Sequence, residues 1–179
     1  MTTDAQRYNA VARALHWSIG LLIIANIALA LLGEPFEHVL WIFPVHKAIG
    51  ILVLGLSVAR LLWRFTYTAP PLPAAMPDWQ KLAARLVMVA FYGMIILVPL
   101  SGWVMSSAGK WPISFFGLFE VPKFAVTKDD PIAHFAHEAH EILGLLFIPL
   151  VAVHIAAALR HHIILKDNVL LRMTGRPLR

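Results

Sequence analysis

The sequence predicts an all-α integral membrane protein, a four-helix bundle with both termini in the cytoplasm. Three observations carry this: composition, four long apolar runs, and a charge bias between their ends. Of the 179 residues 59% are hydrophobic and only 14% charged, well above the apolar share of a soluble domain. An exterior of that kind needs lipid around helices whose backbone groups are satisfied internally. The length suits one domain covering 1–179.

The four spans are expected at about 12–33, 45–65, 86–106 and 142–164, each near the roughly 20 residues that cross a hydrocarbon core. Gly33, Glu34 and Pro35 punctuate the end of the first, and Pro70, Pro71, Pro73 and Pro77 follow the second. Gly109 and Pro112 follow the third. Pro99 and Pro149 fall inside spans, where membrane helices accept a kink. Arg7 and Arg13 before an apolar run, with Ala28-Leu29-Ala30 beyond it, imitate a signal peptide. The length of the run and the charge count favour a retained helix instead. The stretch from Lys110 to Ala133 is too short and broken to span and is expected as an outer loop lying partly in the interface.

Alternating the spans sorts the charges. One side, with both termini, collects eleven Lys and Arg against three Asp; the other holds four Lys against seven acids. The positive-inside rule makes the first side cytoplasmic. Because the cations lie between apolar runs and not in one patch, they read as topology and not as a nucleic-acid surface.

The chain has no cysteine, which excludes disulfides, iron–sulfur clusters, thiolate-bound haem and covalent c-type attachment. Any metal is then held by nitrogen or oxygen. Ionisable side chains inside spans mark functional sites by default, and four of the nine histidines stand in or at the edges of spans. On the fourth, His140 and His154 are 14 residues apart, which is about 40° short of four turns and about 21 Å along the axis. They share a face, one toward each side of the membrane. His16 opens the outward-running first helix and His46 the inward-running second, so the topology pairs His16 with His154 inside and His46 with His140 outside.

Two imidazoles from facing helices supply both axial positions of a low-spin haem b. Two such layers imply two haems b and an electron path across the bilayer. The residue four positions beyond each histidine is small, namely Gly20, Gly50, Gly144 and Ala158. Position i+4 is the strip of helix beside the ligand, where bulk would obstruct a flat macrocycle; small-residue helix packing is the competing explanation. His134, His137 and His140 also raise the alternative of a surface metal site, but only His140 shares the face of His154. His137-Glu138-Ala139-His140 lacks the spacing of a zinc-protease motif. His38, His161 and His162 are expected at interfaces.

These residues resemble the bacterial cytochrome b561 family over nearly the whole chain. The matching stretches are Arg7-Tyr8, Ala14-Leu15-His16-Trp17, His46-Lys47-Ala48-Ile49-Gly50, Arg60-Leu61-Leu62-Trp63-Arg64, Pro99-Leu100-Ser101-Gly102-Trp103, Phe115-Phe116-Gly117, His140-Glu141, and His154 with Ala156 to His162. The resemblance implies a dihaem cytochrome of the bacterial inner membrane with His16, His46, His140 and His154 as axial ligands. It further implies electron exchange with ubiquinone and, for the close relatives, superoxide:quinone oxidoreductase activity. Met88 stands where similar chains often carry a histidine.

On this reading an electron enters at the outer pair and leaves to a quinone. Lys47, beside His46, is the outer lysine best placed to steer superoxide, although it reads equally as a side chain reaching for the interface. Ser101, Trp103, Ser106, Ser107 and Lys110 form a candidate quinone rim. The competing expectation from another class is a cytochrome b anchor subunit passing electrons between quinone and a docked dehydrogenase or hydrogenase as protein redox partner. A haem-free transporter with proton-relay histidines is a third, and the short chain without a visible internal repeat speaks against it.

Overall fold

The computed structural model describes residues 7–33, 41–73 and 76–178. Asp4, Glu34, Pro35, Glu37, His38 and Arg179, which enter the punctuation, the charge count and the interface histidines, lie outside the described residues.

Four helices dominate: α1 (Ala10–Gly33), α2 (Ile42–Arg64), α3 (Asp78–Ser107) and α4 (Pro131–Ile163). All four are long and apolar enough to cross a membrane, and only 6% to 28% of each most apolar window is buried inside the protein. Their outer faces carry exposed large apolar side chains such as Leu21, Leu62, Leu86, Leu145 and Val153. That surface fits hydrocarbon and not water.

Local chemistry sets the helix ends. The Asn9 carboxamide accepts the backbone N–H of Ala12 at 2.8 Å, a side-chain cap that satisfies one orphan donor of α1. The same oxygen accepts from the Trp63 indole at 3.1 Å, tying the start of α1 to the end of α2. Gly33 closes α1 under the Phe43 ring, where a Cβ would fall 2.9 Å from Phe43 Cζ. Pro77 precedes α3, and Pro131 occupies the first turn of α4, where a missing N–H costs nothing.

α3 begins eight residues before the third apolar span and α4 eleven before the fourth, so both continue beyond the apolar run. A membrane-length criterion counts apolar residues, whereas a helix continues for as long as its backbone bonds do. The segment between α3 and α4 contains an antiparallel hairpin, β1 (Ile113–Phe115) and β2 (Phe119–Val121), with Ile113 opposite Val121 and Phe115 opposite Phe119. Phe116 and Gly117 take φ of 51° and 77° in its turn, the left-handed pair that tight hairpins need. The aromatic run there reads as interfacial by composition, which masks the two short strands.

α1 packs on α2, α2 on α3 and α3 on α4, whereas α4 makes little close backbone contact with α1 or α2. Ile19, Ile23, Ile49, Val53, Ile95 and Phe147 form the buried core near mid-depth. At the end bearing the chain termini, a one-turn helix α5 (Leu171–Thr174) docks back. The Trp17 indole donates to Met173 O at 2.7 Å and Arg172 Nη1 to Pro71 O at 2.6 Å.

Candidate functional site

Across the wide side of the bundle the histidines meet in two layers. The His16 and His154 ring centres are 6.1 Å apart with planes at 77°. Those of His46 and His140 are also 6.1 Å apart, with planes at 89°. A metal–imidazole bond of about 2 Å, with roughly 1 Å more from nitrogen to ring centre, separates two axial rings by about 6 Å. Both pairs therefore hold the spacing that one iron between them requires.

The space beside the rings agrees. A Cβ added to Gly20 or Gly144 would meet nothing within 4 Å, and at Gly50 only Asn26 Nδ2 at 3.8 Å. That space leaves room for a macrocycle beside the paired imidazoles, and Gly55 and Gly93 elsewhere in the bundle are equally open. The residues present fit two haems.

The layers differ in how their rings are held. His46 Nδ1 lies 3.2 Å from Asn26 O on α1, and His140 Nδ1 lies 2.8 Å from Val98 O on α3. A carbonyl can only accept, so both rings donate through Nδ1–H and present a free Nε2 lone pair, the arrangement that fixes a metal-ligating tautomer. The Ser101 hydroxyl donates to Val98 O at 2.9 Å and stands 3.4 Å from His140 Nδ1. Gly102 makes room for that ring, because a Cβ there would fall 2.8 Å from His140 Cε1.

Among the described residues no hydrogen bond ties the ring of His16 or His154. His154 packs edge-on to Phe91 at 4.9 Å, and His16 to Trp17 at 5.4 Å. Phe91 also meets Phe147 at 5.8 Å, and Phe147 is seven residues from both His140 and His154. It thus fills the depth between the layers.

Asn26, Val98, Gly102, Phe91 and Phe147 were not assigned to the site by the sequence reading. Phe147 was findable as the midpoint of the 14-residue interval, whereas Asn26 meets His46 through its backbone carbonyl. Val98 acts through its backbone and leaves no signal.

Lys47 is half-buried and electrostatically coupled to Lys123 across the outer segment. The five rim residues are not brought to one surface. Ser101 touches His140, and Lys110 borders an open cleft with Glu120 and Lys123. Ser106 and Ser107 are buried, with Ser107 Oγ donating to Trp103 O at 2.8 Å. The Trp103 indole donates to Pro122 O at 2.9 Å and lies against Phe124. It therefore fastens the outer segment to α3. His134 and His137 are exposed, and among the described residues no three potential ligands converge on a metal site. Met88 is exposed on α3. His161 pairs with Asp167 at 2.6 Å, as an interfacial side chain.

A helical membrane bundle with paired imidazoles at two depths defines the class: a multi-pass membrane cytochrome b. The sequence profile of the family described as Prokaryotic cytochrome b561 matches residues 7–176, and the chain belongs to that family. It is 34% identical to cytochrome b561 homolog 2 of Escherichia coli K12, over 98% of this chain and 95% of that one. It is 36% identical to cytochrome b561 homolog 1 of the same organism, over 95% and 98%. A probable superoxide oxidase, CybB, of Yersinia pestis is 29% identical over 94% and 96%. Haem b binding and electron transfer in a bacterial membrane follow from the family.

Proposed function

We propose that the chain is a dihaem cytochrome of the bacterial inner membrane that passes electrons from superoxide outside to ubiquinone. The observation that carries this reading is the pair of 6.1 Å imidazole separations at two depths. His46 and His140 hold the outer haem and His16 and His154 the inner one, with both termini cytoplasmic as the charge bias directs. Each haem, when bound, supplies a one-electron carrier.

The protein's own residues do the rest. Nδ1–H donation from His46 and His140 to fixed carbonyls orients both rings and keeps Nε2 unprotonated for iron. Gly20, Gly50 and Gly144, with Ala158 at the matching position, would leave room for the macrocycles beside their ligands. Lys47, reinforced by Lys123, draws an anionic donor to the outer layer. The cleft that Lys110 borders with Glu120 and Lys123 offers polar contacts for a quinone. The balance is two superoxide anions oxidised to dioxygen, one per electron, for each quinone that takes two electrons and two protons from water to become quinol. The probable superoxide oxidase CybB of Yersinia pestis, which this chain matches nearly end to end, supports this reading.

The test is to purify the chain in detergent, determine haem per polypeptide from reduced-minus-oxidised spectra, then supply superoxide and a soluble quinone. Two haems and quinol formation are expected. A colourless protein or a single haem would overturn the dihaem assignment. Two haems without quinol would remove the superoxide activity and favour an anchor subunit.

A further inference from the structure

α3 carries no histidine, yet one turn of it surrounds the His140 ring. The Val98 carbonyl accepts from His140 Nδ1–H at 2.8 Å, and the Ser101 hydroxyl donates to the same carbonyl at 2.9 Å. Ser101 Oγ also stands 3.4 Å from His140 Nδ1, and Gly102 lacks the Cβ that would fall 2.8 Å from Cε1. Ser101 was expected on a quinone rim. Its one hydroxyl proton is instead committed to Val98 O.

A serine in an apolar helix needs a partner, and the carbonyl three residues back is an ordinary one. Back-bonding alone would make Ser101 a satisfied side chain and no more. What sets it apart is the third group on the same oxygen, a ring nitrogen from α4. The donor roles are fixed: while Nε2 is kept for iron, Nδ1 carries the proton and has no lone pair to accept one from Ser101. A carbonyl oxygen has two lone pairs and can hold both donors, but each draws density from it and weakens the other's bond.

His46, the other ligand of this layer, gives its Nδ1 proton to Asn26 O at 3.2 Å, and among the described residues no side-chain hydroxyl donates to that carbonyl. The two rings therefore face unlike acceptors. Donation from Nδ1–H makes a ligating imidazole more basic and favours the oxidised, more positive iron. A hydroxyl that shares the acceptor restrains that donation.

We propose that Ser101 is a positioning residue that acts through Val98 O on His140, holding the midpoint potential of the His46–His140 haem above the value an unshared carbonyl would set. This role rests on the dihaem reading.

The test is a spectroelectrochemical titration of the full haem-loaded chain, with haem per polypeptide measured on the same samples. His140→Ala, which keeps only the His16–His154 pair, identifies the other component by its loss. Ser101→Ala is expected to keep two haems and to lower the midpoint of the His46–His140 component alone. The expected size is about a threefold rise in its oxidised-to-reduced ratio at fixed potential, about 28 mV at 59 mV per tenfold for a one-electron couple. Ser101→Thr, which keeps the hydroxyl, is expected to retain the wild-type midpoint. A midpoint that stays put or rises in Ser101→Ala, or falls equally in Ser101→Thr, overturns the role of Ser101 while two haems per chain preserve the dihaem reading. A single haem in the wild-type chain overturns both.

Discussion

In the layer of His46 and His140, the one proposed as outer, each imidazole is pinned by a backbone carbonyl from a different helix, Asn26 O for His46 and Val98 O for His140. At the inner layer the same 6.1 Å separation is kept by aromatic packing, with Phe91 against His154 and Trp17 against His16. The contrast teaches that ring spacing and ring electronics are set independently. Spacing comes from how far α4 stands from α1 and α2; electronics come from what each ring donates to and what charge lies nearby.

The comparison breaks most sharply by deleting one ligand at a time. His140→Ala is expected to halve the haem content and leave the inner spectrum in place, and His16→Ala to do the converse. Loss of both haems from either variant would show that the layers are not independent. Next in size is Gly102→Ala, whose new methyl group lies within 3 Å of the His140 ring. Overpacking of this kind costs about 1–3 kcal/mol, so the outer haem should dissociate more readily and the thermal midpoint of the loaded protein should fall. Gly144→Ala has nothing within 4 Å to meet and should leave the haem-free protein's stability unchanged, which separates the two glycines.

Phe91→Leu should sharpen the inner side. It removes an edge-to-face contact worth about 1 kcal/mol and is expected to broaden the inner haem's spectrum while the outer one holds; the two resolved absorbance components report it. Trp103→Phe deletes the indole donor to Pro122. At about 1 kcal/mol for a neutral hydrogen bond, faster amide exchange should follow in the hairpin segment alone.

The smallest effect concerns Asp130, just before α4. Its exposed carboxylate accepts the Thr127 backbone N–H at 2.6 Å and hydroxyl at 3.0 Å, which hold its pKa below the usual carboxylate range. A carboxyl depressed by folding contributes its stabilisation above the unfolded value and loses it as pH falls through the folded one. Protection of the Thr127 amide should therefore be constant near neutrality and disappear in acid; protection independent of pH would remove this contact from the turn.

Much of the fold was legible because a bilayer imposes a simple code. Apolar length and the 14-residue interval on α4 follow from hydrocarbon thickness and helix rise, and from them the facing histidines could be paired on the sequence. The hairpin at 113–121 was not legible, because three-residue strands between aromatic residues carry no periodicity. The rim at Ser101 to Lys110 was drawn from sequence proximity, but a helix distributes neighbours around its axis. Ser106 and Ser107 consequently turn inward while Lys110 faces the cleft.

By itself the sequence determined that four apolar helices cross a membrane and how far apart along α4 two of the histidines lie, since hydrocarbon thickness and rise per residue set those lengths. Tertiary structure alone decided which carbonyls His46 and His140 donate to, and that Gly102 yields its space to His140. Those facts depend on how helices distant in sequence lie against one another, and no one-dimensional pattern encodes the distance between them.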